Sequence, residues 1–63
     1  MPSISFEIGG LTLEQKREIV SGFTDVASRA TGIPREGFYV FIKENEPENV
    51  GVGGELLADR PSA

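Results

Sequence analysis

The sequence predicts a small α+β domain: two strands flanking one long helix, a β-α-β unit, closed by a short C-terminal β-hairpin. Three observations predict it. Ile4, Phe6 and Ile8 alternate with Ser3, Ser5 and Glu7, which is the period of a strand with one apolar face. Ile19, Val20, Phe23, Val26, Ala27 and Ala30 recur at helical spacing and form one apolar stripe. Phe38-Tyr39-Val40-Phe41-Ile42 is a short aromatic and β-branched run, too brief for a helix. A strand, a helix and a second strand in that order make a right-handed unit with parallel strands.

The first strand spans Met1 to Ile8 in this reading, and Pro2 is its unusual residue. Proline lacks a backbone N–H, which an edge strand tolerates at its start. It is also small enough for a methionine aminopeptidase to remove Met1 before it. The mature chain would then open with a secondary amine, and an α-amino group titrates at roughly 7.7–8.0 before any perturbation. Gly9-Gly10-Leu11 turns the chain. Thr12 with Gln15 three residues on is a capping-box pattern, and Glu14 suits the positive end of the helix dipole. The helix is expected from Leu13 to Thr31, with Gly22 as a close-packing point. Gly32 stops it and Pro34 forbids its continuation.

In the second strand Phe38, Val40 and Ile42 point one way, and Tyr39, Phe41 and Lys43 the other. One helix covers one face of a two-stranded sheet, so nothing within the chain covers Tyr39 and Phe41. An exposed aromatic face on so small a domain predicts self-association. The segment Glu44 to Asn49 reads as a solvated acidic turn; it lacks the central glycine and spacing of a calcium loop, and no metal ligand set is expected. Val50-Gly51-Val52-Gly53-Gly54 has no lysine after it and carboxylates on both sides, so it reads as tight turning rather than a phosphate cradle. A short strand near Glu55-Leu56-Leu57 and a loose tail from Ala58 to Ala63 complete the chain.

At 63 residues the chain is one domain, residues 1–63, and it buries too little surface to be robust alone. It has neither cysteine nor histidine, which leaves oligomerisation as its route to stability. The net charge of −4 argues against nucleic acid and against an anionic membrane surface. No apolar run approaches the roughly 20 residues of a membrane span, and the start lacks the regions of a signal peptide. A cytoplasmic location is the expectation.

Taken together, Met1-Pro2 before a strand, Thr12-Leu13-Glu14-Gln15-Lys16, Gly32-Ile33-Pro34, Glu44 and Gly51-Val52-Gly53-Gly54-Glu55-Leu56 resemble the 4-oxalocrotonate tautomerase family. Within it the chain looks most like the DmpI-type proteins. The resemblance implies a subunit of a homo-oligomer, usually a hexamer of dimers. It also implies a small-molecule enol or ketone as substrate and an amino-terminal proline acting as general base without metal or cofactor. That proline maps onto Pro2. The best-known members carry an arginine before the helix cap, a second in the second strand, and an apolar aromatic before the glycine-rich turn. Here those substrate-binding positions are Leu11, Tyr39 and Val50. The base is present and both arginines are absent.

The resemblance thus implies a keto–enol or 1,3-allylic tautomerase with low activity on dicarboxylate enols such as 2-hydroxymuconate. Tyr39 can donate one hydrogen bond to a developing enolate, and Arg35, Lys43, Lys16 or Arg60 could bring charge from a neighbouring subunit. The alternative is a non-catalytic homo-oligomeric binding or structural module of the same fold. A hydratase or dehalogenase ranks lower, because it needs a water-activating carboxylate where the chain has Val50-Gly51-Val52.

Overall fold

In the computed structural model, which describes residues 2–61, the order is β1 (Ser3–Ile8), α1 (Leu13–Thr31), β2 (Tyr39–Glu44), β3 (Gly51–Val52) and β4 (Glu55–Leu56). Short 3-10 turns occupy Arg35–Gly37, Pro47–Asn49 and Leu57–Asp59. β1 and β2 pair in parallel, with Ile4 opposite Val40, Phe6 opposite Ile42 and Ile8 opposite Glu44. The second strand begins one residue later than its apolar run and ends two later. The start of the first strand at Met1 lies outside the described residues.

The helix has the expected bounds and ends. Thr12 accepts from the Gln15 N–H at 3.2 Å while the Gln15 side chain accepts from the Thr12 N–H at 2.9 Å, so two orphan donors are satisfied reciprocally. Gly32 ends the helix at φ 77°, a left-handed conformation only glycine adopts without a Cβ clash, and its N–H caps Ser28. α1 lies on the Ile4–Phe6–Ile8 face, anchored where Phe6 and Phe23 meet edge to face with centroids 5.5 Å apart.

The helix is rolled relative to the stripe read from the sequence. Ile19, Phe23, Ala27 and Ser28 are half-buried, and Thr24, outside that stripe, is the one buried residue among those described, at 7% exposure. Val26 is 58% exposed and Ala30 is also exposed. With Ile4, Phe23 and Ala27 they line an open apolar groove beside the free edge of β1. Gly22 is not a close-packing point: a Cβ built there meets nothing within 4 Å.

Tyr39 and Phe41 lie on the uncovered sheet face at 50% and 47% exposure. β3 and β4 form a two-stranded antiparallel hairpin turned by Gly53 and Gly54, both at positive φ. The tail is less loose than expected at its start: Leu57–Asp59 forms a 3-10 turn, Leu57 donates to the Val50 carbonyl at 2.9 Å, and Arg60 pairs with Glu55. Among the described residues no hydrophobic side chain is fully buried. The radius of gyration is 15.1 Å, against about 11 Å for a compact domain of this length. A chain with these proportions has not closed its core on itself.

Candidate active site

Pro2 stands half-buried at the head of β1. Its carbonyl accepts the Tyr39 N–H at 3.1 Å, which extends the parallel ladder by one rung and pins Pro2 beside the start of β2. Having no N–H, its nitrogen gives nothing to the sheet. Strand alternation sends the Tyr39 side chain onto the open face, together with Phe41 and Lys43. Pro2 and Tyr39 are therefore neighbours through the backbone, at one end of the sheet.

Leu11 and Val50 belong to the other end, roughly 20 Å away at about 3.3 Å per strand residue. There Glu44 ties three elements together. One carboxylate oxygen accepts the Leu11 N–H at 3.0 Å and the other accepts Lys16 Nζ at 2.7 Å. The Lys16 hydrogen bond, followed by the Leu11 N–H, holds the Glu44 carboxyl below its usual pKa. A cleft of about 510 Å³ opens beside this lock, between the ends of the strands and the turn that carries Val50. Asn45 forms part of its wall, donating from its backbone to the Ile8 carbonyl at 2.8 Å and from Nδ2 to Glu7 Oε1 at 3.1 Å. Gly9, two residues before Leu11, lines the same cleft.

A single chain thus joins Pro2 with Tyr39, and Val50 with the loop leading to Leu11, but keeps the two pairs apart. Of the four candidate cations, Lys16 is held by Glu44, Arg35 by Asp25 and Arg60 by Glu55. Lys43 has no ion pair among the described residues, and Glu7 is its register partner across the sheet. Reading Glu44 as part of a solvated turn missed its lock on the helix start. Its parity carried a usable signal: Glu44 shares the parity of Val40 and Ile42, so it leaves the sheet on the helix side.

The profile described as "Tautomerase enzyme" matches residues 3–60, nearly the whole chain. The chain belongs to the tautomerase family. A probable tautomerase of Lactiplantibacillus plantarum is 35% identical over 94% of each chain. The crystal structure of DmpI from Archaeoglobus fulgidus is 40% identical, with a TM-score of 0.84 over 92% of this chain and 100% of that one. A heterohexameric 4-oxalocrotonate tautomerase from Chloroflexus aurantiacus is 27% identical, also at TM-score 0.84, over 94% of this chain and 97% of its own. These findings establish the tautomerase fold expected from the sequence, and family membership supports a tautomerase-type activity.

Proposed function

We propose that this tautomerase-family chain is a cofactor-independent keto–enol or 1,3-allylic tautomerase, with the Pro2 amine as general base once Met1 is removed. One observation carries the reading: Pro2 sits at the head of β1 with its carbonyl engaged and its nitrogen outside the ladder. With Met1 attached that nitrogen is an amide and has no basicity. Freed, the neutral amine takes a proton from carbon or an enol oxygen, the electron pair moves into the conjugated system, and the prolinium returns the proton at another atom. The isomerisation is thereby balanced without a co-reactant. A partly water-excluded site favours the neutral amine over the ammonium. The developing enolate oxygen needs a donor, a role for which the Tyr39 phenol is the candidate.

The working form in this proposal is a homo-oligomer, and the site is shared. The open Tyr39–Phe41 face, the apolar groove beside β1 and the absence of a fully buried hydrophobic side chain among the described residues support association. A neighbour running antiparallel to β1 would bring the Leu11–Val50 end of one copy to the Pro2 end of another. The hexameric relative makes six copies the reading to test first.

The test follows ketonisation of simple enols by ultraviolet absorbance for wild type and Pro2→Ala, with intact mass to establish the first residue. The expected result is a chain beginning at Pro2, and activity lost in a Pro2→Ala protein of unchanged circular dichroism. Activity that survives Pro2→Ala with Met1 fully retained refutes the mechanism. A free Pro2 with no turnover of any enol would instead favour the non-catalytic module, which the loss of both arginine positions also fits.

A further inference from the structure

We infer that Glu44 is a positioning residue: through the Leu11 N–H it holds the Gly9–Leu11 loop in place as a preformed wall of the cleft at the far end of the sheet. The inference rests on the tautomerase reading for the existence of a substrate; the lock itself is read from the chain. The facing wall is fastened twice at Asn45, by its backbone N–H on the Ile8 carbonyl and by its Nδ2 on Glu7. The Gly9 wall has less to hold it. Outside the strand ladder and the helix, the one hydrogen bond to Gly9–Leu11 among the described residues is the 3.0 Å bond from the Leu11 N–H to Glu44. Lys16, at 2.7 Å on the other carboxylate oxygen, aims that acceptor.

The two glycines of the loop show what the lock is for. Neither has a positive φ. A Cβ built on Gly9 meets nothing within 4 Å, and one on Gly10 comes no closer than 3.7 Å, to Glu44 Oε2. Neither backbone conformation nor space within the chain calls for glycine, so what the pair contributes is freedom. A loop free to leave its place lowers the fraction of molecules whose cleft is ready, and apparent affinity falls by that fraction. A wall already in place holds ground state and transition state alike, so its loss raises KM and leaves kcat where it was.

The test reads binding and turnover separately. Two saturated probes, 2-oxohexanedioate and 2-oxohexanoate, are titrated into isotope-labelled full-length Pro2→Ala protein while the Gly9 and Leu11 amides are followed, and hydrogen exchange at the Leu11 amide reports the lock. Adding Glu44→Ala should speed that exchange and weaken whichever probe binds by about tenfold. Glu44→Gln keeps an acceptor for the Leu11 N–H, loses the ion pair, and should retain most of the affinity. Gly10→Ala should recover part of what Glu44→Ala loses, because it narrows the freedom of the loop. With every variant folded by circular dichroism, a role in stability alone leaves affinity unmoved. In the enzyme that keeps Pro2, Glu44→Ala should raise KM for an enol acid by the same factor at constant kcat. If Glu44→Ala does not fold, Lys16→Met carries the same comparison with a smaller loss. Affinity and KM unmoved in a folded Glu44→Ala protein, or no shift at Gly9 with either probe before that substitution, overturns the positioning role. Affinity that follows the lock in a protein that turns over no enol defeats the tautomerase reading alone. An active enzyme whose KM ignores Glu44→Ala defeats the positioning role alone.

Discussion

Replacing Tyr39 by arginine returns a cation to the Pro2 end of the sheet, and the structure bounds the gain. Tyr39 is hydrogen-bonded through its backbone to Pro2, so a residue there is held next to the proposed base. A hydrogen bond to a charged group is worth roughly 1.5–3 kcal/mol. The side chain at this position is half exposed in the single chain, so screening argues for the lower end, about 1.5 kcal/mol, or roughly tenfold in rate. If a neighbouring copy covers the open face, the same contact moves towards the upper end and about a hundredfold. The assay compares kcat/KM for a 2-hydroxymuconate-type diacid and for a neutral enol, in wild type and Tyr39→Arg. The diacid should gain about tenfold or more and the neutral enol little, and the difference should shrink as ionic strength rises. Equal changes for both substrates, or none, would show that Tyr39 does not face the reacting group. A wild type already as fast on the diacid as arginine-bearing relatives would mean that another cation holds it, and of Lys16, Arg35, Lys43 and Arg60 only Lys43 has no ion pair among the described residues.

Three further outcomes follow from the fold. Sedimentation should find no folded monomer at micromolar concentration; a stable monomer would remove the shared site. Thr12→Ala removes half of the capping box and should cost about 1 kcal/mol, lowering Tm at fixed protein concentration by roughly 4–8 °C. The folded pKa of Glu44 is lowered, so its stabilisation is present above the ordinary carboxylate range and lost as pH falls through the lowered value. Glu44→Gln should therefore flatten the acid limb of a Tm-against-pH curve, and an unchanged limb would show that the lock adds nothing to stability.

The local elements were legible because their signals are local. Alternation over Ser3–Ile8, the Thr12–Gln15 capping box and Gly32 are each decided by neighbours in the chain, and each appears where the sequence puts it. The split of Phe38 to Lys43 between two faces was equally readable, since strand parity needs no tertiary information. The roll of α1 was not: apolar residues span more of the helix than one sheet face can cover, and only packing selected Phe23 and Thr24 over Val26 and Ala30. Glu44 was misread for a related reason. Its role depends on Lys16 and the Leu11 N–H, and only the crossover brings these to the end of β2. The sequence named Pro2, Tyr39, Leu11 and Val50 as one set through family resemblance, whereas a single chain divides them between opposite ends of the sheet. A parallel βαβ unit starts both strands at the same end, so Pro2 meets Tyr39 there, while the helix returns from the far end and holds Leu11 at that distance.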